Sequence, residues 1–175
     1  PPDKARIDAL VKAGPRMDDI LIDGIQLQGG KPSVKLDFGF MAKGYAIDQA
    51  VDQLRELGIH NAIVKVGGDL RAIGTRGGQP WPVALRNPIG GGVLAILQVA
   101  GDESVFTAGD YKLNFTHKGK TYHHVIDPRT GTMSVSDLVQ VTVVADTAWE
   151  AETTATTALL LPSEEAIAWL RDRGM

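Results

Sequence analysis

The sequence predicts an α+β protein in which largely antiparallel strands are bracketed by helices. Three observations lead there. Apolar residues recur at helical spacing near the start, in one long stretch around residues 41–57, and at the end. Between residues 62 and 144 lie eight short strand-like runs, most of them separated by Gly or Pro clusters. No regular alternation of strand and helix occurs that would build a parallel sheet.

The elements follow in order. Residues 3–13 read as a helix with Ile7, Leu10 and Val11 on one face, stopped by Gly14-Pro15. Residues 20–22 and 25–27 flank Asp23-Gly24 as a two-residue hairpin turn. Val34, Leu36 and Phe38 alternate as in a half-buried strand. Residues 41–57 form the best helix, with Met41, Tyr45, Ile47, Val51, Leu54 and Leu57 largely on one side and Gly58 as terminator. Strands are expected at 62–66, 70–73, 82–85, 93–99, 105–107, 113–116, 122–126 and 138–144. Helices at 148–161 and 163–173 close the chain, the second opening on Ser163 as N-cap with Glu164 and Glu165 in its first turn.

At 175 residues the chain is about one domain's worth, long enough to bury a core without staples. Hydrophobic residues at 43% and charged residues at 22% disfavour disorder, collagen and coiled coil. Without cysteine there is no thiol catalysis, Cys-ligated zinc or disulfide. No apolar run approaches bilayer length. The net charge of −3 is uneven, because the stretch from Asp146 onward carries −4 and the rest +1. With no basic stripe, nucleic acid is not an expected partner.

Four stretches can carry chemistry. In Leu36 to Asp48 a strand passes through Gly39 into a helix whose first turn holds Lys43; a cation there opposes the helix dipole unless an anion such as phosphate neutralises both. On the residues alone an ordinary strand-to-helix junction with a solvated lysine is the favoured reading, and the glycine spacing is not that of a Walker A loop. Gly67-Gly68-Asp69 lets backbone approach a ligand, or is simply a turn. His123-His124 precedes Val125-Ile126-Asp127-Pro128-Arg129-Thr130-Gly131; adjacent strand residues face opposite ways, so one histidine is expected to face a cleft while the other supports it or faces solvent. Upstream, Thr107 to Tyr111 is a strand-end turn or a turn presenting Asp110. On the helix 148–161, Glu152 and Thr156 share a face, with Thr153 and Thr157 beside them. Four β-branched threonines in five residues oppose helix propensity. That oxygen-rich face suits a hard cation such as Mg²⁺; threonines bonding back to the preceding turn are the plain alternative.

The order of these pieces carries more than any one of them. Ala-Lys-Gly-Tyr-Ala-Ile-Asp (42–48), Gly-Gly-Asp (67–69), Trp-Pro-Val with Asn-Pro (81–88), Thr-Ala-Gly-Asp-Tyr (107–111), the His-His to Thr-Gly segment (123–131) and Val-Thr-Val-Val-Ala with Thr-Ala-Trp-Glu-Ala-Glu (141–152) occur in succession. The set closely resembles the ApbE family of FAD:protein FMN transferases along nearly the whole chain. The resemblance implies an ApbE-like fold and Mg²⁺-dependent transfer of FMN from FAD to a Thr or Ser hydroxyl of a target flavoprotein, of redox-complex subunit type, with release of AMP.

It also implies roles. The metal would be held by the carbonyl of Ala42 with Glu152 and Thr156. Lys43, Tyr45, Asp48, Gly68, Asp69, Asp110 and His124 would bind FAD. Lys43 would share charge neutralisation with the metal, His124 would act on the acceptor hydroxyl as base or orienter, and Asp127 would orient the turn or the imidazole. Where this chain has Glu152, Ala108 and Phe40-Met41, family members more often have Asp, Ser and Gly-Ile. Rival readings are a Mg²⁺-dependent FAD pyrophosphatase and a non-catalytic FAD-binding protein. The resemblance further implies a single domain lacking an N-terminal portion and the extreme C-terminus, and a periplasmic or membrane-anchored location outside the cytoplasm.

Overall fold

The computed structural model describes residues 3–109 and 114–175. Helix α1 (Lys4–Ala13) is capped by the Asp3 side chain and ends at Gly14, which takes the left-handed φ of 44°. Strands β1 (Ile20–Asp23) and β2 (Gln26–Gly29) form a hairpin whose turn is Gly24-Ile25. The turn lies one residue later than expected, because glycine takes the first central position with φ 56°. The expected strand around Val34 to Phe38 is absent. Pro32 interrupts the segment, and the Asp37 carboxylate accepts the Gly39 N–H at 2.8 Å, folding the chain into a turn that feeds the next helix.

That helix, α2 (Ala42–Glu56), buries Gly44, Ile47 and Val51, whereas Tyr45 and Leu57 are exposed. The buried stripe therefore runs at spacings of three and four from Gly44 and excludes two of the large residues the pattern suggests. Strands β3 (Ala62–Val66), β4 (Asp69–Gly74), β7 (Gly101–Gly109) and β12 (Gln140–Ala145) build an antiparallel sheet in the order β12-β7-β4-β3. β5 (Trp81–Arg86) and β6 (Val93–Val99) form a separate hairpin, as do β8 (Asn114–His117) and β9 (Lys120–His123). The expected strand at 122–126 is split: β9 ends at His123, and β10 (Ile126–Asp127) pairs instead with β11 (Thr132–Met133). Helices α3 (Ala148–Leu159) and α4 (Ser163–Arg171) follow. Ser163 is the first residue of α4 rather than its cap, and Asp137 receives both its N–H and its hydroxyl.

The main sheet has two apolar faces because its strands alternate. On one side Phe106, Val141 and Val143 pack with Ile47 of α2 and with Ala148, Ala151, Ala155, Ala158 and Leu159 of α3. Alanines along α3 keep that helix close to both α2 and the sheet. On the other side Leu70, Ala72 and Val105 pack with Val83 and Val99 of the β5–β6 hairpin. No helix among the described residues is long and apolar enough to cross a membrane.

Candidate functional site

At one end of the sheet, on its helix side, lies a cavity of about 640 Å³. Lys43, Asp69, His124, Glu152 and Thr156 line it, with Phe40, Phe106 and Thr107. These side chains come mainly from α2, β4, the bend after β9, and α3, so the site exists only once the fold has closed.

Lys43 is its centre. Its ammonium is ion-paired with Asp69, lies 3.8 Å from Glu152 Oε1, and stands 5.0 Å from the Phe106 ring centroid. The anion that offsets this helix-first-turn lysine is thus supplied by the protein's own carboxylates. Asp69 is fixed from behind, its Oδ1 accepting the Thr107 N–H at 3.0 Å. An ammonium has three protons, so Lys43 retains capacity for a ligand oxygen.

Glu152, only 6% exposed, accepts the Gly44 N–H at 2.6 Å through Oε2. Burial pushes its carboxyl above the ordinary glutamate value, the Gly44 N–H and Lys43 opposing that shift and Asp69 adding to it. Gly44 is the third residue of α2, so its N–H is one of the first-turn donors without a partner inside the helix, and Glu152 satisfies it. The Phe40 carbonyl, which lies before the helix, has no hydrogen-bond partner among the described residues. Phe40, Glu152 and Thr156 all line the cavity, and carbonyl, carboxylate and hydroxyl are the hard oxygens a Mg²⁺-type cation takes. The donor chemistry fits a cation held jointly with ligand phosphates. It does not fit a cation held by protein acids alone, since no cluster of three or more His, Asp or Glu that could hold a metal occurs among the described residues.

Ala42, whose carbonyl the resemblance implies as a metal ligand, is the first residue of α2, is exposed, and is not among the residues that line the cavity. Phe40, two residues ahead of the helix, does line it. The threonines divide between both readings. Thr153 and Thr157 donate to backbone carbonyls of the preceding turn, Thr157 to Thr153 at 2.8 Å, while Thr156 lines the cavity.

The remaining implied residues lie elsewhere. Tyr45 is exposed and Gly68 lines a different recess. The Asp48 carboxylate accepts the N–H groups of Ala148 and Trp149, each at 2.9 Å, and pairs with Arg71. It therefore caps α3 from α2 and does not line the cavity. Asp127 accepts from the Arg129 guanidinium and N–H within its turn, which hold its carboxyl below the usual range. His123 donates from Nε2 to the Ser134 carbonyl and accepts the Val125 N–H at Nδ1, a tautomer assigned from this network. His124 is exposed and lines the cavity. Asp110 lies outside the described residues.

The four-stranded antiparallel sheet backed by two helices matches solved structures of ApbE flavin transferases. The sequence profile of the ApbE family matches residues 1–175, and the chain belongs to that family. It is 36% identical over 169 residues to the FAD:protein FMN transferase of Rhodobacter capsulatus, covering 94% of this chain and 32% of that protein. With the Escherichia coli FAD:protein FMN transferase it is 34% identical over 180 residues, covering 99% of this chain and 51% of that protein. Among solved structures, the ApbE protein of Thermotoga maritima matches with a TM-score of 0.88 at 28% identity, over 99% of this chain and 57% of that one. The flavin transferase ApbE from Vibrio cholerae matches with a TM-score of 0.81 at 30% identity, over 95% of this chain and 53% of that one. The chain thus spans about a third to a little over half the length of these relatives.

Proposed function

We propose that this chain forms the donor-side body of an FAD:protein FMN transferase, moving FMN from FAD to a Thr or Ser hydroxyl of a target flavoprotein and releasing AMP. The observation that carries the reading is the juxtaposition of Lys43, Asp69 and Glu152 in one cavity with His124 and Thr156. Such a transfer forms a bond from the acceptor oxygen to the phosphorus of the FMN half. The bridging P–O bond breaks, its electron pair leaves on the AMP phosphate, and the hydroxyl proton must be removed.

Each need has a residue. Lys43 offers an N–H to nonbridging phosphate oxygens, and Asp69 holds that ammonium in place. His124 takes the acceptor proton, a role its imidazole suits as a general base. Glu152, Thr156 and the Phe40 carbonyl would hold Mg²⁺, which when bound neutralises phosphate charge. We propose that the reaction takes place outside the cytoplasmic membrane.

The test is intact-mass measurement of a target flavoprotein domain incubated with the chain, FAD and Mg²⁺. The expected result is addition of one FMN with equimolar AMP. AMP release with an unmodified acceptor would mean hydrolysis, and intact FAD would mean binding without turnover; either overturns the transferase reading.

A further inference from the structure

Lys43 and a divalent cation would draw on the same carboxylate oxygen. Of the two oxygens of Glu152, Oε2 is committed to the Gly44 N–H, whereas Oε1 faces the Lys43 ammonium at 3.8 Å, outside hydrogen-bond distance. Asp69, the other acid beside Lys43, accepts the Thr107 N–H at Oδ1 and pairs with Lys43 through Oδ2. The side chains of Asp69 and Glu152 are 3% and 7% exposed, that of Lys43 37%. The two acids are therefore fixed in the floor of the cavity, and the ammonium is the part of the cluster with room to move.

This cluster already contains a cation, built into the chain. It offsets part of the negative charge that would attract a metal, and it does so beside the Glu152 oxygen that the Gly44 N–H leaves open. Two positive charges a few ångströms apart at a half-buried site repel each other strongly. No third His, Asp or Glu among the described residues joins the two acids to make a metal cluster that could outweigh that repulsion.

Resting on the transferase reading, we propose that Lys43 is an internal counter-ion that disfavours divalent metal at the donor-free site and admits it together with the pyrophosphate of FAD. Phosphate oxygens accept the remaining protons of the ammonium and draw it from Glu152, which leaves Oε1 to the metal. The same phosphates place negative charge between ammonium and metal, so that repulsion gives way to a shared anion. The coupling is reciprocal: by whatever factor FAD strengthens metal binding, metal strengthens the binding of FAD.

The experiment titrates the 175-residue chain with Mn²⁺, which takes the oxygen donors that suit Mg²⁺ and whose free ion is counted by electron paramagnetic resonance. Wild type should bind Mn²⁺ about tenfold or more tightly with saturating FAD than without it, after correction for Mn²⁺ held by free FAD. Lys43→Met should bind Mn²⁺ alone about tenfold or more tightly than wild type does and lose most of the enhancement by FAD, while Lys43→Arg, which keeps the charge, should stay within about threefold of wild type. Adding Glu152→Gln to Lys43→Met should remove the gain. Removing Lys43 leaves two buried acids without their cation, so unfolding is followed alongside. Mn²⁺ alone should raise the thermal midpoint of Lys43→Met more than that of wild type.

Equal or weaker Mn²⁺ binding by Lys43→Met overturns the proposal. So does a gain that survives Glu152→Gln, or Mn²⁺ binding to wild type that FAD leaves unchanged. A wild-type chain that shows the coupling yet transfers no FMN would support the counter-ion while refuting the transferase reading.

Discussion

A Cβ built on Gly44 would lie 2.5 Å from the carbonyl oxygen of Ala148 and 2.7 Å from the Trp149 Cα. Helices α2 and α3 therefore meet backbone to backbone at the point where Glu152 reaches back to the Gly44 N–H. By helix propensity alone, Gly44→Ala should stabilise by about 1 kcal/mol. Here the methyl group must push α3 away, and overpacking of this kind costs about 1–3 kcal/mol and pulls Glu152 off its donor. We expect a lower midpoint in denaturant unfolding and a loss of transfer larger than the loss of stability explains. A stabilised variant would contradict the crossing.

Glu152 separates stability from function in the opposite direction. Because burial raises its carboxyl above the unfolded value, the unfolded chain binds fewer protons than the folded one as pH rises through that interval, and folding stability falls. Glu152→Gln removes the penalty while keeping an acceptor for the Gly44 N–H. Its stability relative to wild type should therefore improve from about pH 4 to about pH 8, seen as diverging urea midpoints. Transfer should nonetheless fall by about 10²-fold or more, the scale of losing one electrostatic contributor. Unchanged transfer would remove Glu152 from the donor site.

Much of this arrangement is legible in the sequence, and the limits have physical causes. Strands β3 and β6 have the expected bounds because their apolar runs end at glycines or turns. The motifs name Lys43, Asp69, His124, Glu152 and Thr156, and all five line one cavity. The expected strand at Val34 to Phe38 fails because a strand needs a partner, and alternation says nothing about pairing. Asp48 reads as a ligand residue because its motif contains the lysine. That its carboxylate reaches the start of α3, 100 residues on, is a tertiary fact no local spacing carries.

The position of Asp48 makes a separate prediction. Its carboxylate caps α3 and pairs with the buried Arg71, so Asp48→Ala leaves two helix N–H groups and a guanidinium short of an acceptor. Breaking a buried pair from one side costs about 3–5 kcal/mol. We expect a stability loss of that order by denaturant titration, with FAD affinity of the folded protein retained in calorimetry. Lost affinity in a stable variant would return Asp48 to the ligand.

Arg71 extends the network to Asp102, which also pairs with Arg55. Burial alone would raise the Asp102 carboxyl, but hydrogen bonds from Arg71 and Arg55 outweigh it and hold it below its ordinary value. A lowered folded value means stability fully present above the unfolded value and lost as pH falls below about 4. Wild type should accordingly exceed Asp102→Asn in thermal midpoint at about pH 6, and the gap should close toward about pH 2.5. A gap constant across that range would deny the linkage.

The paired histidines give the sharpest division of labour. His123 is tied at both ring nitrogens, to the Ser134 carbonyl at 3.1 Å and the Val125 N–H at 3.3 Å, and so holds the chain between β9 and β10. Its replacement by Ala leaves those backbone groups unpaired, costing about 1–3 kcal/mol. His124 is exposed at the cavity wall, so His124→Ala should change the unfolding midpoint little. In single-turnover transfer the order reverses. His124→Ala should lose about 10²–10⁴-fold, the range of a general base, with FAD binding intact. His123→Ala, assayed well below its lowered melting temperature, should keep most of its rate. Equal rate losses in the two variants would mean that His124 acts by holding the fold and not at the acceptor hydroxyl.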